Sequence, residues 1–246
     1  MRQAAVLAEI SAGEFLASLD SLAAIYAAAM EPPPQQLPGR RAIMERHAGY
    51  RGFRGIVARF PAPGRGPQAG QDLRLAGFAY GFHGESGQWW HDLVRDALAR
   101  YHGKRTARAW MSDSFEIAEV HVHPDFQGRG TGHAMLARLA EGRPEQTAVL
   151  STMDDDTSAH RLYLGMGFAD LLPGFMFPGA DLPYVIMGAT LPLIRLAHAS
   201  GRDPAPWPPR RAPGRPAVPA HPHPGQPARA TAPTPPAGRS ARPSRW

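Results

Sequence analysis

The sequence predicts a mixed α/β domain over residues 1–198, a central sheet flanked by helices, followed by a disordered Pro/Arg-rich tail over 199–246. Three observations carry this. Strand-like segments alternate with segments of helical period through the body of the chain. Two strand-like segments face each other across a Gly/Pro-rich loop, which makes a hairpin and argues against an all-parallel sheet. From Gly201 onward the composition changes: 14 of the 27 prolines lie there among scattered Arg and Ala, with too few apolar side chains to offset the entropy of ordering.

Ala4 to Ile10 reads as a first strand. Ser11 and Glu14 then have the spacing of a capping box, and Phe15, Leu19, Leu22, Tyr26 and Met30 follow at helical spacing. Pro32, Pro33 and Pro34 end that helix. Gly39 to Ala48 predicts a second helix, whose Arg40, Arg41 and Arg46 read as a solvated face. Phe53–Phe60 and Leu73–Phe82 are the hairpin strands, with Pro61 to Gly70 as their loop. Gln88 to Tyr101 is helical in period and begins with Trp89 and Trp90; one tryptophan is expected in the core and the other at an acceptor pocket. Phe115–His123 is a strand, a glycine-rich turn follows at Gln127–Gly132, and Gly132, Met135, Leu136, Leu139 and Ala140 form one buried helical stripe. Gln146–Met153 is a strand, Thr157 to Met166 a helix, and Phe168–Leu172 and Tyr184–Leu191 are the closing strands.

Charge narrows the function classes. The chain carries 27 basic and 21 acidic residues, but eight Arg and one Asp of these lie from Gly201 onward, leaving 19 against 20 in the body. The basic pI therefore belongs to the tail, and the body shows no excess that would point to nucleic acid. Without cysteine, disulfides, thiolate metal sites and a cysteine nucleophile are excluded. The first apolar stretch is interrupted by Glu9, Glu14 and Asp20, unlike a signal peptide, and no run approaches a membrane span. A soluble cytoplasmic protein is the expectation, with neither membrane nor specific nucleic acid as a partner.

The turn Gln127-Gly128-Arg129-Gly130-Thr131-Gly132 sits between a strand and a helix. Glycines there let the backbone turn tightly and approach a ligand. The helix start behind them offers unpaired N–H groups and a positive dipole end, which suit a pyrophosphate, and Arg129 could add a charge. The turn departs from a dinucleotide fingerprint, because four residues separate it from the strand and its third glycine comes one place early. Asp154 to Asp156 do stand where a ribose-binding carboxylate would.

The next helix decides between these readings. Phe115 to Phe168 resembles the GNAT superfamily of N-acetyltransferases. Gln127, Gly130 and Gly132 match its Q/R-x-x-G-x-G/A loop, and Val120-His121-Val122-His123-Pro124 its strand end. Ala159, Leu162, Tyr163, Gly167 and Phe168 match its later A-x-x-L-Y-x-x-x-G-F element. Asp156 stands where the family often has Asn, and it or Thr157 could cap the helix. The resemblance implies a mostly antiparallel mixed sheet, acetyl-CoA as acyl donor with no metal, and direct transfer to a small-molecule or peptide amine. It implies that main-chain groups of Val120 and Val122 bind the pantetheine arm. The N–H groups of Gly128, Arg129, Gly130, Thr131, Gly132 and His133 then bind the pyrophosphate, and Tyr163 is the general acid. Glu116 and Glu119 are the candidate bases; plain alternation puts them on opposite faces, where burial would raise either pKa. His121 and His123 near Asp125 fix no third metal ligand by spacing. A cofactor-binding protein without turnover, or an interaction protein acting through its tail, are the competing readings. Folds of this kind commonly dimerise at a sheet edge, so a homodimer is compatible with the sequence.

Overall fold

The computed structural model describes residues 4–61 and 73–193; the hairpin loop beyond Pro61 and the tail lie outside the described residues. In chain order the elements are β1 (Val6–Ile10), α1 (Ala12–Ala17), α2 (Leu19–Met30), α3 (Leu37–Ala48), β2 (Arg54–Pro61), β3 (Leu73–His83), α4 (Trp89–His102), α5 (Lys104–Met111), β4 (Ser114–Val122), α6 (Thr131–Ala140), β5 (Thr147–Met153), α7 (Ser158–Gly165), β6 (Ala169–Phe175) and β7 (Tyr184–Thr190). The strands form one sheet in the order β1-β2-β3-β4-β5-β7-β6. Only β4 and β5 pair in parallel, all other neighbours being antiparallel, as the mixed, mostly antiparallel expectation requires.

Local chemistry explains most boundaries. Ser11 and Glu14 make the capping box in both directions, so α1 starts where the spacing places it. The single helix expected from Phe15 to Met30 is two. Ser18 leaves helical geometry, its hydroxyl bonding back to the Glu14 carbonyl at 2.8 Å, a side-chain competition that loosens a helix. Helix α2 stops at Met30 with Glu31 left-handed, ahead of the proline run. The sequence pattern does not predict α5: it has one turn of apolar contact, Ala107 and Met111, too short a pattern to register.

Helices cover both faces. On one, α6 and α7 pack Met135, Leu136, Leu139, Tyr163 and Met166 against Ile56, Ala79, Ile117, Leu150 and Met187. On the other, α1 to α3 cover Val57, Phe78, Tyr80 and Phe82, while α4 and α5 cover Val149, Leu172 and Ile186. Each fully buried side chain of this kind contributes about 2 kcal/mol.

Two irregularities at the sheet centre position the site. The β4–β5 pairing runs only from Ser114/Thr147 to Glu116/Val149, although β4 continues to Val122 and β5 to Met153. Beyond Glu116 the two strands part. On its other edge β4 stays paired with β3, where the register steps from Tyr80↔Glu119 to Gly81↔Ile117. Ala118 is thus an extra residue, a β-bulge that resets alternation.

Candidate active site

The turn at the end of β4 is built by its own residues. A short 3-10 turn at Pro124–Phe126 leads to Gln127, whose Nε2 donates to the Val122 carbonyl at 2.9 Å. Gly128 and Gly130 have φ of +69° and +78°, conformations that side chains resist, and both face open space. Ala134 is the first helix residue whose N–H is taken up within α6, by Gly130. The N–H groups of Thr131, Gly132 and His133 precede it and have no intrahelical acceptor. Thr131 is buried with its hydroxyl oxygen unpartnered. A side chain on Gly132 would approach Leu162 of α7 to 3.3 Å, so glycine here lets α6 and α7 close together. Arg129 lies back over the Phe60 and Phe126 rings, its guanidinium donating to the Asp125 carbonyl at 2.8 Å.

The open edge of β4 begins beside this turn. His123 donates its N–H to Ala76 of β3, so strand alternation turns the main-chain groups of Val122 and Val120 toward the edge that β5 has left. Their side chains pack on the α6–α7 face, where Tyr163 is also buried, its ring 5.8 Å from that of Phe168. The Tyr163 hydroxyl has no hydrogen-bond partner among the described residues. Burial pushes its pKa above the usual phenol range, and the Glu119 charge adds to the rise.

The two glutamates part company. Glu116 lies where β4 and β5 are still paired, its Oε1 2.6 Å from His91 Nδ1 of α4, with both side chains buried. Gly84 closes over the pair: a Cβ there would stand 2.3 Å from the Glu116 carboxylate and 2.7 Å from both His91 Nδ1 and Ser114 Oγ. Burial raises the Glu116 pKa against the opposing His91 hydrogen bond. A cavity of about 660 Å³, lined by His91, Arg95, Lys104 and Arg108 among others, opens at this end, at the other end of β4 from the glycine turn.

Glu119 lies in the open stretch of β4. Its Oε1 accepts from Arg40 Nη1 of α3 at 2.9 Å and its Oε2 is held by His121 Nε2. Burial would raise this carboxyl's pKa, but Arg40 and His121 outweigh it and hold it below the ordinary carboxylate value. Around the pair, Arg40 sits over the Tyr26 ring at 4.9 Å, His121 meets the same ring edge-on at 5.1 Å, and His47 Nδ1 lies 3.1 Å from the Tyr80 hydroxyl. His47 is lowered to about 4, chiefly by burial.

The structure corrects three expectations. The glutamates share a face, because the Ala118 bulge reverses the alternation between them. Only Glu116 has the raised pKa expected of both, since Glu119 is ion-paired. Arg40 is not part of a solvated helix face but half of a part-buried ion pair with the buried Glu119 carboxylate. Sequence reasoning missed His91, Arg40 and His121 as partners of these carboxylates. The pairings span 25 and 79 residues for the first two, and no local pattern encodes such separations. His121 is visible in the sequence only as half of a metal-like spacing. Among the described residues no group of three His, Asp or Glu side chains is placed to hold a metal ion. Of the remaining candidates, Trp90 joins the α4–α5 core layer and donates to Ser151 Oγ at 3.2 Å, while Trp89 stays exposed beside Phe177. Thr157 caps α7, and Asp156 instead pairs with Arg161.

Part of the chain is similar to known proteins. Residues 88–170, from the start of α4 into β6, match the acetyltransferase (GNAT) domain family. A GCN5-like protein acetyltransferase of Mycobacterium tuberculosis is 42% identical over 123 residues, which are 48% of this chain and 60% of that protein. The chain thus spans less than two thirds of the length of that curated relative. Among solved structures, the ribosomal-protein-S18-alanine N-acetyltransferase of Escherichia coli superposes with a TM-score of 0.48 at 17% identity, over 76% of this chain and 93% of that one. A GNAT-family acetyltransferase of Bacillus cereus gives 0.46 at 13% identity, over 76% and 98%. The glycine turn, the parted strands and Tyr163 all lie in or beside residues 88–170, the segment of this chain that matches the acetyltransferase (GNAT) domain family.

Proposed function

We propose that the protein transfers an acetyl group from acetyl-CoA to a primary amine by direct attack, and that a peptide or protein amine is the first acceptor class to examine. The observation that carries the reading is the parting of β4 and β5 beyond Glu116, with the glycine turn at its mouth and Tyr163 on one wall. The residues present suit the donor. The N–H groups from Gly128 to His133 and the unpartnered Thr131 hydroxyl are placed to hold a pyrophosphate. The main-chain groups of Val120 and Val122 supply a strand edge for the amide-bearing arm. Bound acetyl-CoA would supply an activated acyl group. Tyr163 keeps its proton at neutral pH and is placed to give it to a leaving thiolate. The acceptor class follows the Mycobacterium relative, which is named a protein acetyltransferase.

Isothermal titration of the full chain with acetyl-CoA, with NADH as control, tests the donor. Micromolar binding of acetyl-CoA alone supports it, and a preference for NADH sinks it. A thiol-release screen of peptide amines and then small amines tests turnover. Tight donor binding without release from any amine would favour a cofactor-binding protein that lacks turnover.

A further inference from the structure

We propose that His121, rather than either glutamate, takes the proton from the acceptor's ammonium group, with Glu119 and Arg40 as positioning residues. The proposal rests on the acetyl-transfer reading and names a base for it. Position comes first. His121 lies in the stretch of β4 that β5 has left, and its ring contacts Tyr26 of α2 and Phe78 of β3. It therefore stands on the α1–α3 face, while Tyr163 stands on the α6–α7 face. An acyl group in the gap between β4 and β5 would have an acid on one side and a base on the other.

Hydrogen bonding selects the tautomer. An ionised Glu119 can only accept, so its bond to His121 Nε2 leaves the proton on Nε2 and a lone pair on Nδ1. Nδ1 has no partner among the described residues. Glu119 is itself a poor base, because Arg40 and His121 occupy both of its oxygens and hold its pKa down. Glu116 is closed off by Gly84 and His91 at the other end of the strand. The charged and titratable groups facing His121 are Glu119 on its own strand, Tyr26 from α2, Arg40 and His47 from α3, and Tyr80 from β3. Glu119 is the anion among them, and it accepts the His121 Nε2 proton.

In the transfer itself, Nδ1 takes one proton from the ammonium, and the freed nitrogen lone pair forms the N–C bond as the C–S bond breaks. Tyr163 protonates the departing sulfur and recovers a proton from the acylated nitrogen. The proton held by His121 passes to solvent.

The test is the pH dependence of kcat/KM by thiol release, with wild type, His121→Ala, His121→Gln and Glu119→Gln, each checked for unchanged acetyl-CoA affinity. Wild type is expected to gain activity with rising pH through a single limb. Both His121 variants are expected to lose that limb and about 10²-fold of activity at its plateau. Glu119→Gln is expected to keep the limb but move it to lower pH, because removing the anion disfavours the imidazolium. A limb that survives in both His121 variants, or an equal loss at every pH in all variants, overturns the proposal. A second readout needs no acceptor: the His121 ring signals in NMR of the acetyl-CoA complex should titrate, and shift to lower pH in Glu119→Gln. Failure of that shift overturns the role of His121 even if turnover is found. A correct shift without any turnover places the failure in the acetyl-transfer reading instead.

Discussion

Tyr163 carries the sharpest consequence of a single side chain. Its hydroxyl is unpartnered among the described residues and stays protonated at neutral pH, so Tyr163→Phe removes a proton donor and little packing. The expected outcome is a fall in kcat of about 10²-fold with acetyl-CoA affinity nearly unchanged, read from thiol release beside calorimetry. The Arg40–Glu119 pair makes the opposite kind of prediction. Arg40→Met leaves a buried carboxylate with one partner fewer, and denaturant unfolding at neutral pH should report a loss of about 3 kcal/mol. The sign with pH follows from the lowered Glu119 value. Its contribution is present above the ordinary carboxylate range and is lost as pH falls through its folded value. Below about pH 5 wild type should therefore lose stability more steeply than Glu119→Gln. The sequence named both glutamates and Tyr163, because their motif spacings are local. It anticipated the raised Glu116 pKa but misassigned the glutamates' relative faces and the Glu119 pKa, because those depend on the bulge at Ala118 and on Arg40 and His121, whose effect no spacing within β4 reveals.

Among the elements, the turn into α6 is the one whose backbone conformation matters most. Gly130 has φ +78° and open space where a side chain would stand, so Gly130→Ala meets strain rather than collision. A left-handed alanine costs about 1–2 kcal/mol, and that strain reshapes a turn whose N–H groups must converge. Acetyl-CoA affinity should fall about tenfold with a melting temperature lower by only about 2–8 °C, and an unchanged affinity would argue that the turn does not hold the cofactor. Gly81 behaves differently. A Cβ there would lie 2.5 Å from the Glu116 carbonyl and 2.6 Å from the Phe115 ring, so its substitution should destabilise the sheet centre itself. Element order was legible because apolar period and caps are local, as at Ser11–Glu14 and Thr157. The break at Ser18 and the short helix α5 were not, since one is a single side chain competing with a helix and the other a pattern of two buried residues.

Across the molecule, one sheet holds two helical layers apart and opens at its centre. The paired strands around the gap should protect their amides strongly, while those of Val120 and Val122 face an edge with no ladder partner. Hydrogen exchange should therefore be faster at these two positions than at Ile117 or Val149, and should slow on adding acetyl-CoA. Unchanged exchange would mean that the donor does not use this edge. By itself the sequence determined the succession of strands and helices, the glycine turn and the resemblance to GNAT acetyltransferases, because each rests on residues near one another along the chain. Only the tertiary structure decided where β4 leaves β5, that a bulge at Ala118 brings Glu116 and Glu119 to one face, and that Arg40 and His91 reach them from separate helices. The physical reason is separation: ladder pairing and buried ion pairs join residues distant in sequence, and their energies exist only once the chain has folded around them.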